Sequence, residues 1–283
     1  MCDAGPYEIL SSEAAMTHPV SSPVGSRSNH PKFLRARVAV SAPGRNLSIP
    51  DPAAMAVHVG HASTLYLGSL VAQRYGCPFE VRLDGGERHF QADLTPFHDD
   101  VEACLDFMGV TPSRIYQQPQ EVPSTKWLKD RLGPGGELVP FIEWNTGPLS
   151  MAALLDDVEN APSLIIRGEE FKRPEKYVGA GQIGLNMLRY TMVEKVIFSL
   201  ARVENKEVNL PIITLGGYKM STSEGRTVHW RALEVIGQKA ARQLFSVMSS
   251  RSRAWEWDWS WLTENGVGRL WVARDEAMCW DVD

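Results

Sequence analysis

His58-Val59-Gly60-His61 places two imidazoles three residues apart with a glycine between them. The run stands where a loop gives way to a long apolar stretch, and a helix N-terminus there would offer unpaired N–H groups and a field that favours anions. A glycine lets phosphates approach the backbone closely. His58, Gly60 and His61 therefore read as a phosphate site. A second element, Gly216-Gly217-Tyr218-Lys219-Met220-Ser221-Thr222-Ser223, brings an ammonium and three hydroxyls on a glycine-rich loop. Donors aimed at charge that develops on a leaving group are strong catalytic devices, so Gly217, Lys219, Met220, Ser221 and Ser223 are candidates to close over a pyrophosphate. Each element alone has a plain alternative: two helix-capping histidines, or a solvated turn. One after the first strand and one after the last, they are far more specific as a pair.

The elements that would position them alternate between strand and helix. Residues 35 to 42 (RARVAVSA) read as the first strand, followed by a Pro-rich loop and a buried helix that stops at Gly76. CPFEVRLDGG is the second strand, closed by a Gly-Gly turn. DDVEACLDFMGV reads as an amphipathic helix ending at Gly109, SRIYQQ as a strand, and STKWLKDRL as a helix broken by Gly-Pro-Gly-Gly. PSLIIRG has the continuous β-branched pattern of a central parallel strand, and Ile183 to Ala201 that of a long helix. NLPIITL reads as the last strand, with a helix from about Val228 to Met248 beyond the lysine loop. Trp255, Trp257, Trp259 and Trp261 recur with period two, as an edge strand or irregular cover would. The fold class expected is α/β, a Rossmann-like parallel sheet with right-handed crossovers.

Length and composition bound what such a fold could do. The 283 residues suit one large or two modest domains, and 43% hydrophobic with 22% charged residues is globular composition. A net charge of -5 excludes coating nucleic acid by bulk electrostatics and leaves a local basic face open. Cys2, Cys77, Cys104 and Cys279 form no CxxC pair, so neither a zinc site nor a disulfide framework is expected, and the setting expected is reducing and cytoplasmic. No uncharged apolar run of about 18 residues occurs, so no membrane partner is expected. The expected organisation is a flexible tail over 1–31, a catalytic core over 32–227, and a C-terminal helix with a Trp-rich segment over 228–283.

These motifs resemble the HIGH and KMSKS signatures of the class I aminoacyl-tRNA synthetases. The likeness is greatest to the glutamyl and glutaminyl branch: RVAVSAPGR resembles its RFAPSPTG strand, HVGHASTLYLGSLVAQRYGCPFEVRLDG its HIGH helix and following strand, and LIIRGEEF its VIRGEDH segment. The resemblance spans roughly residues 35 to 226 and implies an acceptor-end-binding insertion near 93–145. It also implies ATP with Mg2+ as cofactor, glutamate or an analogue as amino acid, and the acceptor end of tRNA as partner. His58, His61 and Lys219 would be catalytic. Arg37 and Arg167 would face the side-chain carboxylate of the amino acid, a task suited to a planar fork, while Ser41 and Asp84 would serve its ammonium and carboxylate.

Departures from the branch are Thr222 in place of the second lysine, and Leu149 and Ala153 where a tyrosine and an asparagine stand near the amino acid. Residues beyond the lysine loop are too few for a full anticodon-binding domain, as in the glutamyl-queuosine tRNA synthetases; the cysteine-rich zinc site usual in those is absent here. Two other readings stay open: a paralogue that loads an amino acid onto a different acceptor, and a non-catalytic nucleotide- or tRNA-binding relative. Among the remaining residues, Asp156 and Asp157 read as a solvated turn or helix cap rather than a metal pair. Glu169 and Glu170 are either helix N-terminal acids or contacts to ribose or amino acid. His89, His98 and His229 read as surface or loop histidines, and the tryptophans as a packed cover.

Overall fold

The computed structural model describes residues 33–41, 56–84, 94–118, 129–130, 133, 137, 148–181, 185–220, 226–249 and 254–263. The expected tail over 1–31, the helix over STKWLKDRL apart from Lys129 and Asp130, Ser221, Ser223 and His89 lie outside them. Strand β1 (Arg35–Ser41) leads to helix α1 (Val59–Tyr75), then β2 (Phe79–Asp84), α2 (Thr95–Met108) and β3 (Arg114–Gln117). Then come α3 (Pro148–Glu159), β4 (Ser163–Gly168), α4 (Pro174–Gly179), α5 (Leu185–Ala201) and β5 (Lys206–Leu210).

These five strands form one parallel sheet in the order β3-β2-β1-β4-β5, an α/β Rossmann-like arrangement. The chain builds outward from β1 in one direction, then resumes at β4 on the other side. In open sheets of this kind ligands bind outside the carboxyl ends of the strands where the order reverses. Here that crevice lies between β1 and β4. Residues 95 to 117, within the span expected as an insertion, supply α2 and the sheet's edge strand β3, so this part belongs to the sheet.

The two sheet faces differ sharply. Val38, Val40, Val81, Leu83, Leu164 and Ile166 share one face by register and are buried beneath α1, which packs on β1, β2 and β4. Gly68 makes that approach possible, since a Cβ there would stand 2.6 Å from Cγ2 of Val38. Helix α1 ends at Gly76, whose φ of 63° in the left-handed region caps it. The opposite face carries Arg35, Arg37, Glu80, Arg82, Asp84, Tyr116 and Arg167, held against acids of α3 and α5. A smaller apolar cluster, with Leu154, Leu155 and Val158 of α3 against Val193 and Ile197 of α5, joins the two covering helices.

The end of the sheet departs from expectation. NLPIITL is two strands: Leu210 ends β5, and Ile213–Leu215 begins a separate three-stranded sheet as β6. Pro211 has no N–H to give the parallel ladder, so the chain leaves it there. Strand β7 (Tyr218–Lys219) pairs antiparallel with β6, and β8 (Trp255–Glu256) pairs parallel on its other side. The helix expected from Val228 is a 3-10 segment, Trp230–Val235, followed by α6 (Gly237–Ser249), which starts at Gly237 with φ 75°. Among the described residues no helix is long and apolar enough to cross a membrane.

Gly68→Ala should destabilise the protein by about 1–3 kcal/mol, the usual cost of overpacking a filled core. Urea unfolding measures it, and an unchanged midpoint would contradict the tight α1–β1 contact.

Candidate functional site

His58 is the N-cap of α1, extended at φ -102° and ψ 166°, and its Nδ1 accepts a hydrogen bond from the backbone N–H of His61 at 3.3 Å. That bond leaves the ring proton on Nε2. The two imidazoles stack with centroids 3.7 Å apart. A Cβ at Gly60 would sit 2.8 Å from the His58 ring. The glycine therefore makes room for His58 to fold back, where the sequence suggested room for a phosphate.

Burial, then the charges of His61 and Lys219, hold the His58 imidazole well below its ordinary range. His61 is lowered to about 3, by burial first and by Lys219 second. Both rings are neutral donors and acceptors at physiological pH. Nδ1 of His61 is buried and has no hydrogen-bond partner among the described residues, as a group awaiting a ligand would be.

Lys219, about 160 positions further along the chain, is thus near enough for its charge to act on both histidines. Lys219 lies on β7, opposite Thr214, and its ammonium pairs with Glu170. Glu170 follows β4 in a 3-10 turn, is buried, and folds over Gly168, where any Cβ would collide with its carboxylate. Its second oxygen has no partner among the described residues. Glu169 receives the Tyr177 hydroxyl, so of the two acids it is Glu170 that faces the histidine and lysine cluster. Met220 is buried in the main core and anchors the loop rather than lining it. Gly217 sits in the exposed β6–β7 turn at φ 80°.

Two backbone bonds tie the cluster together: Val59 N–H to the carbonyl of Val228 at 2.9 Å, and Trp230 N–H to that of Val57 at 3.1 Å. His58 and His229 form the bridge between them. Asp100 of α2 holds this stitch from behind, accepting from Val57 N–H at 2.7 Å and Trp230 Nε1 at 2.9 Å, with His229 Nε2 at 3.3 Å. The sequence reads His229 as a surface or loop histidine; it is part-exposed, and its contact with Asp100, made across three elements, leaves no trace in the chain's spacing. His98 also has neighbours, Asp99 and Glu102, on the exposed side of α2, an ordinary helix-surface group.

The arginines expected to face an amino acid's carboxylate are engaged elsewhere. Arg37 donates through Nε and Nη2 to both oxygens of Asp157 at 3.0 and 2.6 Å, and Asp157 is fully buried. Arg167 grips Glu194 at 2.8 and 2.6 Å and Glu207 at 3.1 Å. Asp84 pairs with Arg82 at 2.7 Å. Arg82 also reaches Asp156 at 2.9 Å, and Arg35 reaches Asp156, Glu80 and the Tyr116 hydroxyl. Desolvation would raise the Asp156 carboxyl, but Arg35 and Arg82 outweigh it and hold it low. Asp156 and Asp157 are thus ion-paired acids of α3, not a solvated turn. Ser41 is exposed at the carboxyl end of β1, in register with Asp84 of β2, at the mouth of the crevice.

No protein-family model and no curated protein matches the chain. Among solved structures it is similar to a glutamate tRNA ligase from Elizabethkingia meningosepticum, at 12% identity and a TM-score of 0.40 over 69% of this chain and 52% of that one. It is also similar to a parasite tRNA synthetase (9%, TM-score 0.41, 86% and 71%) and to a putative arginyl tRNA synthetase from Campylobacter jejuni (10%, 0.43, 84% and 68%). The chain spans about half the length of the glutamate tRNA ligase.

Two outcomes follow. Unfolded histidines take up protons below about pH 6.5, whereas His58 and His61 stay neutral in the fold, so stability held above pH 6.5 should be lost as the pH falls towards 3. His61→Gln should flatten that slope in urea unfolding between pH 7.5 and 5, by about 1 kcal/mol per pH unit. Asp157→Ala should cost about 3–5 kcal/mol by leaving the buried Arg37 guanidinium without its carboxylate, read from the same unfolding curves; a loss below 1 kcal/mol would count against the network.

Proposed function

We propose that the protein activates an amino acid with ATP, forming an aminoacyl-adenylate, and transfers the acyl group to the acceptor end of a tRNA. What supports this reading is the stacked His58–His61 pair at the N-terminus of α1, within the electrostatic reach of Lys219, whose ammonium pairs with the buried Glu170 at the end of β4. Neutral imidazoles donate hydrogen bonds to phosphate oxygens without carrying charge into the ground state, and the ammonium supplies positive charge for the departing pyrophosphate. The donor set suits a triphosphate rather than a bare cation, because the buried acid is already paired to Lys219; Mg2+ would arrive on the nucleotide.

The reaction places a carboxylate oxygen of the amino acid in line with the α-phosphorus. A new P–O bond forms as the bond to pyrophosphate breaks, and the electron pair leaves with the pyrophosphate. No nucleophile from the protein is required. His58, the helix N-cap, and His61 in the first turn steady the α-phosphate, and Lys219 on the β7 hairpin follows the leaving group. Lys219 must exchange Glu170 for phosphate when ATP binds, so the ion pair is the resting partner of the ammonium.

Glutamate is the expected amino acid from the sequence. With Arg37 and Arg167 already bound to Asp157, Glu194 and Glu207, the whole panel of amino acids merits assay. Pyrophosphate exchange into ATP, run with each amino acid and with or without total tRNA, should show one amino acid above background. His61→Ala and Lys219→Ala should each lower that exchange by roughly 10²–10³-fold, the range for loss of one transition-state donor, while circular dichroism stays unchanged. Absence of exchange with every amino acid, with and without tRNA, would sink the reading.

A further inference from the structure

The lysine of the proposed site stands on a hairpin of only two short strands, and such a hairpin is marginal by itself. It is held from outside by the C-terminal tryptophan-rich segment. Strand β8 lies along β6, with Trp255 N–H bonded to the carbonyl of Ile212 at 2.8 Å and Trp257 N–H to that of Thr214 at 2.7 Å. Trp255 and Trp257 are buried and anchor this strand in the core. Between them Glu256 points the other way, to the turn. One of its carboxylate oxygens accepts the Gly217 N–H at 3.0 Å and the Thr214 hydroxyl at 2.6 Å, and the other accepts the Gly216 N–H.

Both glycines have positive φ, 64° and 80°, the conformation of a two-residue hairpin turn that only such residues adopt easily. In that conformation consecutive N–H groups converge on one side and form a small anion cradle, and Glu256 fills it. Charge-assisted bonds of this kind are roughly twice as strong as neutral ones. Two residues beyond the turn is Lys219.

We propose that Glu256 is a positioning residue for Lys219, its carboxylate clamping the Gly216–Gly217 turn so that the β6–β7 hairpin delivers the ammonium to the histidine pair. The role rests on the activation chemistry proposed above, whereas the clamp itself does not. Both carboxylate oxygens must accept. A glutamine offers one acceptor and turns an NH2 group towards an N–H, so Glu256→Gln opens half the clamp, and Glu256→Asp, one methylene shorter, restores the acceptors at a longer reach. Desolvation would raise the Glu256 carboxyl, but the Thr214 hydroxyl and the two turn amides hold it below the usual carboxylate range.

Two measurements on the full chain test this separately. Amide hydrogen exchange should quicken at Gly216 and Gly217 in Glu256→Gln, with α1 amides unchanged; unaltered protection at the turn would overturn the clamp. In pyrophosphate exchange, Glu256→Gln should lose about tenfold, Glu256→Asp should recover part of it, and Glu256→Gln should cost nothing further in a Lys219→Ala background. An equal tenfold loss in that background would overturn the positioning role, because the carboxylate would then act independently of the lysine. Wild-type protein with a protected turn and no exchange with any amino acid would overturn the activation reading, and the positioning role with it, leaving the clamp as a structural contact alone.

Discussion

Val59 donates its N–H to Val228 and Trp230 donates to Val57, and on this pair of backbone bonds the candidate site depends. The parallel sheet alone fixes where His58 and His61 emerge, at the end of β1 beside β4. It does not fix where the chain goes after β5. The stitch does, by bringing the segment beyond the lysine loop back against the N-terminus of α1, and Asp100 secures it by accepting from both sides. A backbone pairing is well suited to this task, since it positions atoms to a fraction of an ångström without occupying the space a ligand needs.

The lysine loop is accordingly held at both ends. Its near end is the β6–β7 hairpin, locked by Glu256 and by β8; its far end is the stitch. The C-terminal segment, which the sequence suggests as a cover, thereby also braces the hairpin that carries Lys219.

The charged face of the sheet is a different kind of constraint. Parallel sheets covered on both sides are usually apolar on both, yet here Arg35, Arg37 and Arg82 are buried against Asp156 and Asp157. Such pairs rarely add net stability over apolar packing, because desolvation offsets the attraction. They do make register costly to change: a slip of one residue on β1 or β2 would carry a guanidinium to the apolar face under α1. The same network commits the arginines that a substrate carboxylate would otherwise meet.

The sequence by itself determined the alternation of strand and helix, the helix stops at Gly76 and Gly109, and the two motifs, because these follow from local periodicity and from the backbone freedom of glycine. It also placed the strand before Glu169 and Glu170 in the sheet. It did not reveal the break at Pro211, read there as part of one strand, since whether a proline ends a ladder depends on the neighbour that would have accepted its missing hydrogen bond. Nor could it show that Asp157 takes Arg37, that Glu170 rather than Glu169 reaches Lys219, or that Asp100 and Glu256 secure the site. These are contacts between elements 40 to 130 residues apart, and an ion pair leaves no periodic trace in the chain. Tertiary structure alone chooses among the acids and bases that composition supplies, because pairing is decided by which side chains the folded backbone brings within reach and away from water.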